Sequence, residues 1–113
     1  MADKNKDKEL LKDFHFASED EKVLGVQTAV YANGNEVKKF SISGDREVIV
    51  RELNGHDMLQ VNKLVVGDAD NYIPAMMHYS VKIDGKQLPV EDFPKMKGKD
   101  FNKIQIQVMA LNF

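Results

Sequence analysis

At 113 residues, 42% hydrophobic and 30% charged, the chain has the size and composition of one ordinary globular domain. Such a domain buries roughly two thirds of its unfolded surface without needing a metal or disulfide. A formal net charge of −2 and the lack of cysteine argue against non-specific nucleic-acid binding, which needs clustered Lys and Arg, and exclude disulfides, thiolate nucleophiles and cysteine-ligated zinc.

The start of the chain is charged with no apolar stretch behind it, and no segment approaches the roughly 18 apolar residues of a membrane span. A soluble, unsecreted protein with no membrane partner is expected. Residues 1–22 carry five Lys and seven Asp or Glu, too dense a mixture to supply much core. They are predicted to form a charged, mobile N-terminal arm ahead of a single domain over residues 23–113. Within the arm, Leu10, Leu11 and Phe14 follow one amphipathic turn that can dock on the domain or on a partner.

From Val23 the apolar density rises through "VLGVQTAVY". Two readings compete here: a strand ending at the Asn33-Gly34-Asn35 turn, and a short helix before Gly25 with Ser18 and Glu21 as a capping box. "EVKKFSI" and "EVIVREL" then alternate with period two, and Ser43-Gly44-Asp45 between them provides the positive φ of a tight turn. A β-hairpin over Glu36–Leu53 follows.

Next, Asn54 or Asp57 can accept the free N–H groups of a helix's first turn. Met58, Val61, Leu64 and Val65 form its apolar stripe, and Gly67 closes it. A second helix begins near Asp70 or Asn71, because Pro74 is tolerated only in a first turn. Its residues Tyr72, Ile73, Met76, Met77 and Val81 cover more than one face, which predicts a core side and a contact side. "DGKQLP" at 84–89 ends that helix as a turn. The final run "DFNKIQIQVMALNF" fits both periods, and Asp100 as N-cap together with the run's length favours a helix. The expected fold is therefore α+β, with an N-terminal arm, a β-hairpin and a small bundle of about three short helices.

No catalytic group stands out. His15, His56 and His78 lack metal-ligand spacing. "DADN" at 68–71 opens like a calcium loop, but Ile73 stands where the loop needs glycine. The carboxylates, Glu91, Asp92 and Asp100 among them, have nothing to place two in one apolar cleft. The seven glycines sit singly at turns and build no phosphate cradle. No enzyme, cofactor or metal is expected. Methionine reads differently. Flexible thioethers fill cores and also line adaptable surfaces, and adjacent Met76 and Met77 cannot share one helix face.

"REVIVREL", the loop ending in Asp57, two compact helices, "IDGKQLP" and a last helix opened by Asp100 together resemble the small tail assembly chaperones of long-tailed bacteriophages. The similarity runs from about Lys39 to Phe113, and its most distinctive phrase is Gly44, Val48, Arg51, Glu52, Leu53 and Asp57. The resemblance implies a non-catalytic protein that coats the long helical tape measure protein, keeps it soluble and helps tail tube subunits assemble around it. That role belongs in the host bacterial cytoplasm during virion assembly. The tail tube protein is a second candidate partner, and a homo-oligomer stays open. The alternative is a structural subunit retained in the mature tail or baseplate.

A protein of this kind needs apolar surface between helices rather than reactive groups. The expected partner-binding residues are Ile73, Met76, Met77, Ile106, Met109 and Phe113. Gly44, Arg51, Asp57 and Asp100 are expected to be architectural, fixing where the first helix starts after the hairpin.

Overall fold

The computed structural model describes residues 10–113. Five strands form one antiparallel sheet in chain order: β1 (Leu10–His15), β2 (Gln27–Tyr31), β3 (Glu36–Ile42), β4 (Arg46–Arg51) and β5 (Val81–Ile83). Helix α1 (Glu19–Leu24) stands between β1 and β2. Helices α2 (Gly55–Leu64) and α3 (Tyr72–Ser80) are inserted between β4 and β5, and α4 (Gly98–Asn112) comes last. This corrects the expected architecture. A sheet interleaved with helices replaces the arm, single hairpin and three-helix bundle.

The first correction lies in the arm. Residues 10–15 pair with β2, with irregular register between Leu10, Lys12 and His15, so this part of the expected mobile arm is the edge of the sheet. Residues 1–9 of the expected arm lie outside the described residues. Both readings of the next segment are realised in series. Ser18 caps α1 by accepting the Glu21 N–H, Gly25 ends it at φ +73, and β2 begins two residues later. The helix buries none of its residues and is tied down by polar contacts. The Lys38 ammonium donates to the Thr28 hydroxyl at 2.8 Å and pairs with Glu21 at 3.3 Å, while the hydroxyl donates to Glu21 at 2.6 Å.

The second correction is β5. Val81, expected on the second helix, starts a three-residue strand against β4, pairing with Val50. A central row of Phe40, Val48 and Ile83 runs across three strands, all buried. That face receives the helices. Val61 of α2, Ala75, Met76 and Met77 of α3, and Ile104 and Val108 of α4 join the same core with Phe93. At the β3–β4 turn, Gly44 and Asp45 adopt φ of +78° and +55°, a left-handed pair that glycine and aspartate tolerate better than branched residues.

Helix α3 is central, packed against α2, the Val90–Lys95 turn and α4. This explains why Met76 and Met77 are both fully buried although neighbouring helical residues point apart. The part of the expected contact side formed by Met76 and Met77 is covered by its neighbours. Pro74 occupies the first turn of α3, where its missing N–H leaves no helical hydrogen bond unmade. Leu64, expected in the α2 stripe, is exposed instead, whereas Met58 and Val65 pack partly against the core.

Candidate protein-docking site

The hairpin-to-helix junction is held by a connected set of polar groups. Asn54 accepts the Asp57 N–H at 2.9 Å, and Asp57 Oδ2 accepts the Asn54 N–H at 3.1 Å, a reciprocal cap at the start of α2. The same Oδ2 accepts the Arg51 guanidinium at 2.9 Å. Burial pushes the Asp57 carboxyl up, but the Arg51 hydrogen bond, the Asn54 N–H and the Arg51 charge outweigh it and hold the group below its ordinary value. Ser80, at the end of α3, donates to the Arg51 carbonyl at 2.7 Å. Strand β4 and both inserted helices are thereby locked at one corner.

Asp100 takes a different place from the one expected. The N-cap of α4 is Lys97, which makes no side-chain cap, and Asp100 lies in the first turn. Its buried carboxylate accepts the Ser43 N–H at 3.2 Å and the Ser43 hydroxyl at 3.0 Å, with the Arg46 guanidinium 3.6 Å from the other oxygen. Desolvation pushes this carboxyl up, and the two Ser43 donors followed by Arg46 more than reverse it. Asp100 therefore joins α4 to the β3–β4 turn and does not cap its own helix.

Of the residues expected to meet a partner, Ile106 is 61% and Phe113 71% exposed, with Met109 partly exposed between them. Their spacing of i, i+3 and i+7 puts all three on one side of α4. Met76 and Met77, at 0% exposure, are core residues and leave that set. Ile73 is partly buried and lines a cleft of about 500 Å³ between the start of α3, residues 94–98 and the first half of α4. Its apolar walls are Ile73, Pro74, Pro94, Met96 and Phe101, and Gln105 stands on its α4 side.

Phe101, Gln105, Met109 and Phe113 follow one another at i+4, a strip that the polar Gln105 interrupts and that turns about 40° around α4 at each step. At 1.5 Å per residue the strip from Phe101 to Phe113 runs about 18 Å, some three turns of a partner helix. Sequence reasoning missed Pro94, Met96 and Phe101. A signal for them was present in "PKMKGK", where the cleft residues Pro94, Met96 and Gly98 alternate with lysines.

His78 and His15 make local hydrogen bonds. His78 Nδ1 donates to the Leu88 carbonyl at 2.6 Å, and Gln87 donates to the His78 carbonyl at 2.8 Å, which ties the 84–89 turn to α3. His15 Nδ1 lies 2.8 Å from the Asp13 carbonyl. Among the described residues, no group of three His, Asp or Glu side chains converges on a metal-sized site, and no helix is long and apolar enough to cross a membrane.

No protein-family model, curated protein or solved structure matches the chain. The terms bacteriophage, tail assembly, virion and chaperone, expected from the sequence resemblance, are accordingly corrected as descriptors. There is no matching protein to support them, and the fold is a five-stranded sheet interleaved with helices.

Proposed function

We propose that this domain is a non-catalytic binding protein that receives the apolar face of a long helical client along α4. The observation that carries the reading is the run of Ile106, Met109 and Phe113 on one side of α4, the first and last well exposed and Met109 partly so. Buried apolar side chains need no further partner, whereas exposed ones at helical spacing form a surface that gains free energy when another apolar stripe covers it. Rigid attachment of α4 through Asp100 and Ser43 presents that surface with little ordering cost.

The client class comes from the sequence resemblance: a tape measure protein, kept soluble until tail tube subunits assemble around it. Co-expression with such a protein, affinity capture and size-exclusion chromatography test this. The client should become soluble and co-elute with the wild-type chain, and I106E/F113E should lose it while remaining folded. A client that behaves identically with and without this chain refutes the reading. Recovery of the chain from purified mature particles would favour the retained structural subunit instead.

A further inference from the structure

Strand register gathers a second group of side chains on the sheet face turned away from the helices. Val48 and Ile83 belong to the helix-covered core, so the alternate positions Ile49, Arg51 and Lys82 face the other way. Pairing sets Val37 opposite Arg51 and Ile49 opposite Lys82, and the pairing of Ala29 with Val37 brings Tyr31 of β2 to the same face. With Tyr79 near the end of α3 these residues line a hollow of about 340 Å³, at the small end of the range for small-molecule sites. The charged residues of this lining are Arg51 and Lys82, both cationic, and it contains no carboxylate. Lys82 is exposed and has no ion-pair partner among the described residues. Arg51 commits Nη1 to Asp57 and to the Glu52 carbonyl, which leaves its Nε and Nη2 edge to donate elsewhere. An adjoining hollow shares Tyr31, Val37, Arg51 and Lys82 but adds the carboxylates Glu36 and Glu52, so an anion is favoured on the Tyr79 side.

We infer that this hollow binds a small organic anion, a carboxylate or phosphate head on a flat apolar body. The head is drawn to Arg51 and Lys82, since a guanidinium edge matches the spacing of two oxyanion oxygens and an ammonium adds a point charge. The hydroxyls of Tyr31 and Tyr79 supply neutral donors, and their rings with Val37 and Ile49 supply the apolar contact for the body. Asp57 offsets part of the Arg51 charge, which makes Lys82 the stronger electrostatic determinant. The inference is independent of the helix-binding reading, because none of Ile106, Met109 and Phe113 lines this hollow.

Four probes titrated into the isotopically labelled full chain provide the test, with amide chemical shifts as the readout: phenylacetate, phenylphosphate, neutral phenylacetamide and inorganic phosphate. Molecules of about ten heavy atoms bind in the millimolar range at ordinary ligand efficiency. Phenylacetate and phenylphosphate should give saturable shifts centred on Tyr31, Val37, Ile49, Arg51 and Lys82. Two exposed cations predict that phenylacetate binds about two- to thirtyfold tighter than its neutral isostere phenylacetamide. The ratio of the two anions identifies the preferred head. Lys82→Gln, at an exposed site, should weaken both anions about two- to fivefold without moving phenylacetamide. Equal binding of phenylacetate and phenylacetamide overturns the anion preference. Inorganic phosphate binding as tightly as phenylphosphate overturns the apolar body. Shifts that do not saturate, shifts centred elsewhere, or anion affinities unchanged by Lys82→Gln overturn the site itself.

Discussion

The Asp100 carboxylate accepts both the N–H and the hydroxyl of Ser43, 57 positions away in sequence. One oxygen thus fastens the first turn of α4 to the β3–β4 turn, while the other has only the Arg46 charge at 3.6 Å and no hydrogen bond. Removing the carboxylate leaves two donors at a covered site. Asp100→Ala should cost about 1–3 kcal/mol in urea denaturation, and Ser43→Ala, which deletes one donor, about 1 kcal/mol. A double-mutant cycle should give a coupling above roughly 0.5 kcal/mol. Additive effects would show that the contact carries no energy.

Asp57 unites the helix cap with the Arg51 ion pair. Asp57→Ala is expected to lower stability by about 1–2 kcal/mol, chiefly through the lost cap. Arg51 is nearly half exposed, so Arg51→Ala should cost less than about 1 kcal/mol. Thermal melts of the two variants separate these contributions. Equal losses would transfer the weight from the cap to the ion pair.

Both carboxyls are held below their ordinary value of 3.8 in the folded protein. A group depressed by folding binds its proton more readily in the unfolded chain. Its stabilisation is therefore complete well above 3.8 and is lost as pH falls through and below that value. Denaturation between about pH 6 and pH 2.5 should show stability falling on the acid side, and D57N/D100N should flatten that limb. An unchanged acid limb would place the responsible carboxyls elsewhere.

Met77 and Phe113 were expected in one surface and stand in opposite environments, at 0% and 71% exposure. Met77→Ala should cost about 2–5 kcal/mol through lost packing and a cavity. Phe113→Ala should change stability by less than about 0.5 kcal/mol yet weaken capture of the helical client in the co-expression assay. Intact binding by Phe113→Ala and Ile106→Ala together would remove α4 as the docking face.

Helix α1 has no buried residue and depends on the Glu21, Thr28 and Lys38 cluster. Glu21→Ala should abolish hydrogen-exchange protection in α1 while leaving the core strands β3 and β4 protected, as local opening is governed by local contacts. Retained protection in α1 would mean that the neighbouring backbone alone holds it.

The elements that sequence made legible are those controlled by neighbours along the chain. The β3–β4 hairpin follows from period-two alternation around Gly44, the start of α2 from Asn54 and Asp57, and the start of α3 from Pro74. Each depends on φ preferences or on hydrogen bonds across about four residues. For the candidate site, the spacing of Ile106, Met109 and Phe113 was legible in the same way, while the cleft beside it was not.

Strand β1 was hidden in a run rich in charge, since an edge strand has one pairing neighbour and needs little apolar content. Strand β5 has only three residues, too few to show a period. Both exist because β2 and β4 offer them hydrogen-bond partners. In the same way, burial of Met76 and Met77 required knowing that α2, the Val90–Lys95 turn and α4 all pack against α3, and Asp100 looked like a cap until Ser43 stood opposite it. Turns, caps and helix periodicity can be read along the chain, because they are short-range consequences of backbone sterics and local hydrogen bonding. Which apolar side chains are spent on the core and which remain for a partner emerges with the assembled fold, because burial is set by what the rest of the chain brings alongside.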